Sequence, residues 1–371
     1  MHKIYLYTQI QSTRLHYIVG FIQYQFENLE LVIIHEIPVG VNQVIQYGGT
    51  KRVSTFYIAY EGLMELENFP AIEIQYNNNH PVIFSNPECN TGFDIFSALF
   101  WMLTFQSEQR VTKTQLDKHQ RISVKDHLFF KEKNYKKPIL DYWIDQFIQS
   151  LNHQFGIGIK RKNSYSYSVG IDVDQAWKFK NKSFVKTYGG LIKSLLKFDL
   201  TEFKQRYSVL TNKIKDPFDV FTYLDSFHFS KNQLLYFILN GSPSEFNPNH
   251  SIQHPEYKKL LQRLSKKYSI GIHPSYESSD QAKLISKEKS ELEELLQKPI
   301  NQSRQHYLRV NIPETLIQLS QAGITEEFSI CFYDETGFRA GTSHPFFSTI
   351  LHRKKLLHSR YFQLSQWIEP T

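Results

Sequence analysis

Short runs rich in β-branched and aromatic residues open the chain. IYLYTQI, LELVIIHEI, STFYIAY and AIEIQY, between Ile4 and Ile83, are separated by Gly, Asn and Pro clusters and predict strands. The period then lengthens. Phe93 to Ser107 is helical in pattern, and Pro138 to His153 sets Ile139, Trp143, Phe147 and Leu151 four residues apart on one helix face. We read a small N-terminal α/β domain over 1–90 and a helical connection over 91–158.

After Gly158 strand and helix patterns alternate. YSYSVGIDVD (165–174) places Tyr165, Tyr167, Val169 and Ile171 on one face and ends in two aspartates; KKYSIGIHPS (266–275) ends its β-run at His273. QHYLRVNIP and EFSICFYD follow the same plan, with helices expected over 187–198, 231–239, 256–267, 280–297 and 314–322. Such alternation predicts an α/β fold, a parallel sheet or a barrel with its helices outside. In a barrel, polar residues at the C-terminal strand ends gather at one face. The polar loop over 240–254 is expected near a site entrance or on the plain surface, and no internal repeat is visible.

Composition narrows the class. With 371 residues, 41% of them hydrophobic and 21% charged, the chain can bury a core for about two domains and is not a disordered or fibrous one. Its two cysteines, Cys89 and Cys331, are too few for a disulfide framework or a thiolate metal site, which suits a reducing, cytoplasmic setting. Polar residues break the N-terminal apolar runs before they reach a signal-peptide core, and no stretch approaches the ~18 apolar residues of a membrane span, so no membrane partner is expected. Residues 1–100 carry 4 Lys/Arg against 9 Asp/Glu, whereas the whole chain has a net charge of +7. The basic part intersperses lysines with acids, as over 283–298, which argues for a solvated face and against nucleic acid.

Four polar clusters fall where strands should end. Asp172 and Asp174, two apart, can share a pocket to hold a cation or divide base and ligand roles; the same pair could instead cap a helix at Trp177. His273 follows an apolar run and Glu277 lies four residues on, so a helical turn from Pro274 would bring both toward one ion; a hydrogen-bonded strand-end histidine reads the same way. SRQHY supplies Arg304 and His306, and TGFRAGT supplies Arg339. An arginine among small residues can orient a carboxylate or pair with a local one structurally.

Taken in order, Asp-x-Asp, Gly-x-His-Pro-Ser-Tyr, Arg-Gln-His and Gly-Phe-Arg-Ala-Gly-Thr resemble the polysaccharide deacetylase family (carbohydrate esterase family 4 and its relatives), in a long-chain branch with an extra N-terminal domain. The resemblance extends to flanking segments such as FDIFSALFWMLT, KKPILDYWIDQF and IPETLIQLSQAGITEEF, and reaches about Phe347. It implies an irregular (β/α) barrel over 159–347 that removes N- or O-acetyl groups from a sugar with a divalent metal ion, Zn²⁺ or similar. It further implies Asp172 as general base and Asp174 as metal ligand, although the one-residue change in spacing leaves these two roles exchangeable. His273 matches the first histidine of the family's metal-binding pair. Glu277 stands in place of the second, with His306 another candidate for that imidazole. Arg304 matches the arginine that orients the base. Arg339 matches no family role; substrate binding, with Tyr276, or a salt bridge within the site are the two readings open to it.

The family's last barrel strand carries a Leu-x-His motif whose histidine protonates the leaving amine. Beyond Phe347 the sequence STILHRKKLLHSRYFQLSQWIEPT departs from the family, and neither His352 nor His358 sits in that motif. An atypical tail over 348–371, left by truncation after a reading-frame change, is therefore expected. The competing function is a non-catalytic glycan-binding protein with a decayed site, in which Trp177, Tyr276 and Tyr307 would stack on sugar.

Overall fold

The computed structural model describes residues 1–66, 72–77, 80–131, 133–162, 165–350 and the backbone of 355–361. The expected strand AIEIQY begins, and the tail ends, outside these residues. Two compact units emerge: Met1–Tyr165 with Asn311–Pro313 and Ile330 onward, and Ser166–Val310 with Glu314–Ser329.

The first unit is built on a four-stranded sheet of β1 (His2–Tyr7), β2 (Leu29–Ile34), β3 (Val44–Tyr47) and β4 (Phe56–Ile58), ordered β2-β1-β3-β4 and parallel throughout. Parallel pairing of β1 with β2 requires a crossover, which α1 (Thr13–Tyr24) supplies with Leu15, Ile18 and Ile22 buried. A short antiparallel hairpin follows, β5 (Gln75–Asn77) and β6 (His80–Val82). Next comes α2 (Ile95–Leu103), whose nine residues are all buried and whose N-cap is Asp94, accepting from the Ser97 amide at 3.1 Å. The helix α3 (Ile139–Phe155) buries the Ile139, Trp143, Phe147 and Leu151 stripe read from the sequence. Residues 91–158 thus pack in the same unit as 1–90, as do residues from Ile330 onward.

The second unit carries five parallel strands. These are β7 (Val169–Val173), β8 (Leu234–Leu239), β9 (Ser269–His273), β10 (Gln302–Ser303) and β11 (Glu326–Glu327), each beside its predecessor in sequence. Helices α4 (Phe184–Leu196), α5 (Leu200–Leu210) and α6 (Phe221–Asp225) connect β7 to β8, α7 (Pro255–Lys267) connects β8 to β9, α8 (Ala282–Leu296) precedes β10, and α9 (Glu314–Gln321) precedes β11. The core lies between sheet and helices, with Tyr236 and Ile238 of β8 against Tyr257, Leu261 and Leu264 of α7 and Ile285 and Leu292 of α8. Among the described residues no further pairing closes these five strands into a barrel. The last two strands, β12 (Phe346–Ile350) and β13 (Lys355–Tyr361), form an antiparallel pair in the first unit.

Three expectations change. Residues 231–239, read as helix, hold β8, whose six residues LLYFIL are all buried. A strand covered on both faces loses the alternation that marks a half-exposed one, so the apolar run is ambiguous in period. QHYLRVNIP forms a short 3-10 turn over His306–Leu308 after a two-residue strand, and EFSICFYD contributes only the second residue of β11.

Candidate metal centre

The register of the parallel ladder decides which side chains meet. Val173 pairs with Ile238, Leu239 with His273, and Ile272 with Ser303, while the Arg304 amide donates to the Ile272 carbonyl at 3.1 Å. The residues at or just beyond these ends, Asp174, His273 and Arg304, are therefore level at the C-terminal edge of the sheet. His306 is returned to the same edge by the 3-10 turn, within which Tyr307 and Leu308 adopt left-handed φ of 59° and 55°.

Three side chains converge there. Asp174, His273 and His306 each offer one ligand atom, all within 4.8 Å of one another. His273 Nε2 lies 3.4 Å from Asp174 Oδ1 and 2.9 Å from His306 Nδ1, and His306 Nδ1 lies 3.7 Å from Asp174 Oδ1. The protons on the rings follow from their other partners. His273 Nδ1 is 2.5 Å from the Arg304 carbonyl, and His306 Nε2 is 2.7 Å from the Phe246 carbonyl. A carbonyl only accepts, so both of these nitrogens carry hydrogen. Burial lowers the pKa of each imidazole and favours its neutral form.

In those tautomers His273 Nε2 and His306 Nδ1 confront each other as bare lone pairs. Asp174 Oδ1 is buried without a hydrogen-bond donor, and burial raises the pKa of this carboxyl. Two imidazole nitrogens and a buried carboxylate oxygen facing one point form a set that a cation would match. Two imidazoles and a carboxylate form a donor set suited to Zn²⁺ or a similar borderline ion. The two backbone carbonyls fix ring orientation as outer partners of metal-bound histidines do.

Asp172 stands beside this cluster. Its Oδ1 accepts from Arg304 Nη1 at 2.9 Å, and its Oδ2 lies 4.0 Å from His273 Nε2. Arg304 is buried, donates also to the Gly170 carbonyl at 3.2 Å, and stacks 4.6 Å from the centre of the Phe237 ring. The guanidinium needs Gly170: a Cβ at that position would sit 2.2 Å from Arg304 Nη2. Behind Arg304, the buried Glu327 carboxylate takes hydroxyl donors from Ser303 and Ser329, and burial pushes its pKa up to about 7.

Other candidates lie elsewhere. Glu277 falls outside the three-residue cluster: Oε2 accepts from Asn247 Nδ2 at 2.5 Å and Oε1 from Ser244 Oγ at 3.1 Å, although its charge reaches His306. The 240–254 loop thereby ties itself to the segment following β9. Its Phe246 carbonyl also orients His306, a role that leaves no mark in the side-chain sequence. Tyr276 is half-buried, stacked on Phe246 at 4.3 Å and edge-on to Tyr307 at 5.2 Å.

Arg339 belongs to the first unit, buried in a two-point pair with Glu108 at 2.8 and 2.7 Å, with Nη1 also 3.4 Å from the Cys331 carbonyl. These contacts favour the salt-bridge reading of Arg339.

A family model described as a family of unknown function (DUF7033) matches residues 4–156, inside the first unit. Among solved structures, the chain is similar to one titled "Crystal structure of putative polysaccharide deacetylase from Mycobacterium smegmatis". The identity is 11% and the TM-score 0.30, over 53% of this chain and 57% of that one. The chain thus spans less than two thirds of that neighbour, and at this TM-score the site stands on its own geometry. No curated protein matches the sequence.

Proposed function

We propose that the second unit is a metal-dependent hydrolase that removes acetyl groups from an N- or O-acetylated sugar or polysaccharide, with Asp174, His273 and His306 as metal ligands. The observation that carries this reading is the convergence of three ligand atoms, from Asp174, His273 and His306, with the far nitrogen of each imidazole held on a backbone carbonyl. The motif order read from the sequence supports it. So does the strand succession, since five parallel strands each adjacent to the one before match the winding of part of a (β/α) barrel.

A divalent ion at this site would supply Lewis-acid chemistry, polarising an acetyl oxygen and lowering the pKa of a water toward ~7. The chain's own groups supply the rest. Asp172 is the general base. Arg304 holds its Oδ1, which turns Oδ2 toward the cluster to accept a proton from the attacking water. Gly170 and Phe237 hold Arg304 in turn, so the base keeps one rotamer. Glu277 anchors the 240–254 loop through Asn247 and so holds the Phe246 carbonyl on His306. The half-buried Tyr307 ring beside His306 is where a sugar would stack, since Tyr276 has Phe246 stacked at 4.3 Å and the Arg309 guanidinium 4.2 Å from its centre.

The test is calorimetric titration of the purified chain with Zn²⁺, followed by acetate release from acetylated oligosaccharides with and without chelator. We expect one ion per chain, lost in His273→Ala, and release that stops with chelator and in Asp172→Asn. Absence of Zn²⁺ binding would overturn the metal site. Metal and glycan binding without acetate release would overturn catalysis in favour of a glycan-binding role for the same ring.

A further inference from the structure

The first two helices after β7 carry a surface that the proposed chemistry does not use. In α4 only Ser194 is buried. Phe184, Val185 and Leu196 are about three quarters exposed, at 75%, 78% and 75%, and Tyr188, Ile192 and Leu195 are about half exposed. The helix is turned inside out. Its small residues face α5, where a Cβ on Gly190 would lie 2.3 Å from Arg206 Nη1, and its large apolar residues face away.

At 100° per residue, Phe184, Val185, Tyr188, Leu191, Ile192, Leu195 and Leu196 fill an arc of about 140°. Lys186, Lys193 and Lys197, all exposed, form one line along its border. Phe198 at the end of α4 and Leu200 at the start of α5 extend the apolar surface, 88% and 57% exposed.

Charge selects the occupant. Between Lys178 and Lys215 stand ten lysines and arginines against two acids, Asp199 and Glu202. Five of the ten, with both acids, lie within the hairpin itself, and the other five flank it on either side. An apolar face of this width is rare on a soluble monomer. Bordered by lysines in a region of net charge +8, it matches a surface that is apolar within and negative at its rim.

We propose that the α4–α5 hairpin docks the protein on an anionic lipid bilayer. Here α4 lies in the plane of the interface, Phe184, Ile192 and Leu196 enter the acyl boundary, and Lys186, Lys193 and Lys197 lie at headgroup level. None of the described helices is long and apolar enough to cross a membrane, so the attachment is peripheral.

The full chain is sedimented with vesicles of phosphatidylcholine alone and of phosphatidylcholine with one quarter phosphatidylglycerol. Binding to the mixed vesicles, weakened by 0.5 M salt and at least tenfold weaker on the neutral ones, is the expected result. Lys186→Gln with Lys193→Gln and Lys197→Gln should lower partitioning by ten- to a hundredfold. Phe184→Ser with Ile192→Ser and Leu196→Ser should reduce it to background. These positions are exposed, so circular dichroism and the melting temperature should hold in both variants. No binding to anionic vesicles, or equal binding to neutral ones, overturns the proposal. So does a dimer in light scattering that the serine variant dissociates, since a second copy would then cover the face. Zn²⁺ binding in the serine variant separates this result from any failure of the metal site.

Discussion

Two carboxylate–arginine pairs sit in the two units, and they differ in what they leave over. Glu108 and Arg339 meet at two points, with side chains 6% and 4% exposed. Asp172 and Arg304 meet at one point; the aspartate is 25% exposed, and Arg304 Nε and Nη2 are buried without hydrogen-bond partners. The first pair is closed on itself and holds a loop to the residues after α2. The second keeps a carboxylate oxygen 4.0 Å from His273 Nε2, where the proposed base role would place it. Local sequence made the two arginines look alike, because each sits in a short polar motif where a strand was expected to end. Their partners, 231 and 132 positions away, distinguish them.

Breaking each pair in turn should give opposite results. Asp172→Asn should cut acetate release by about 10²- to 10⁴-fold, the usual contribution of a general base, with Zn²⁺ affinity nearly unchanged. Steady-state kinetics with calorimetry would check this, and a variant retaining full activity would remove Asp172 from the base role. Glu108→Gln should leave Zn²⁺ binding intact but destabilise the protein by roughly 3 to 5 kcal/mol, because it strands a buried guanidinium. Urea denaturation reads that cost, and a change below about 1 kcal/mol would show that Arg339 finds another acceptor.

Gly170→Ala sharpens the contrast by moving only Arg304. The added methyl should cost about 1 to 3 kcal/mol as overpacking and lower kcat more than it raises KM, as expected when a base loses its orientation. The smallest effect concerns Glu327. Its pKa rises from 4.5 to about 7 on burial, so the folded protein holds more protons than the unfolded chain across that window. Its contribution to stability is full below pH 4.5 and is lost as pH climbs toward 7. Glu327→Gln should therefore narrow the difference in Tm between pH 5 and pH 8. An unchanged difference would mean that the carboxylate is already ionised against Arg304.

The same contrast marks what could be read from the residues alone. The α/β alternation was legible because α7 and α8 are amphipathic and because β7 and β9 end in recognisable polar groups. β8 was not, since burial on both faces erases its period. Asp174 and His273 were legible as strand-end polar residues, and His306, read as another candidate imidazole, approaches His273 at 2.9 Å. The placement of Glu277 was hidden because four-residue spacing brings two groups together only on a continuing helix. Here Tyr276–Ser279 form a 3-10 turn that swings the carboxylate toward Asn247. The lysine-bordered face of α4 was visible as helix but not as surface, since only packing against α5 shows which side is left outward.

The missing methyl at Gly170 offers a way to sort sequences. Because the guanidinium occupies the volume where any larger residue would put its first carbon, a homologous chain with alanine or serine at that position cannot keep the arginine in this pose. Such a chain could retain Asp174, His273 and His306 and still have lost the anchor of Asp172. If the proposed function holds, one column of an alignment, with no ionisable group in it, would separate active chains from silent ones.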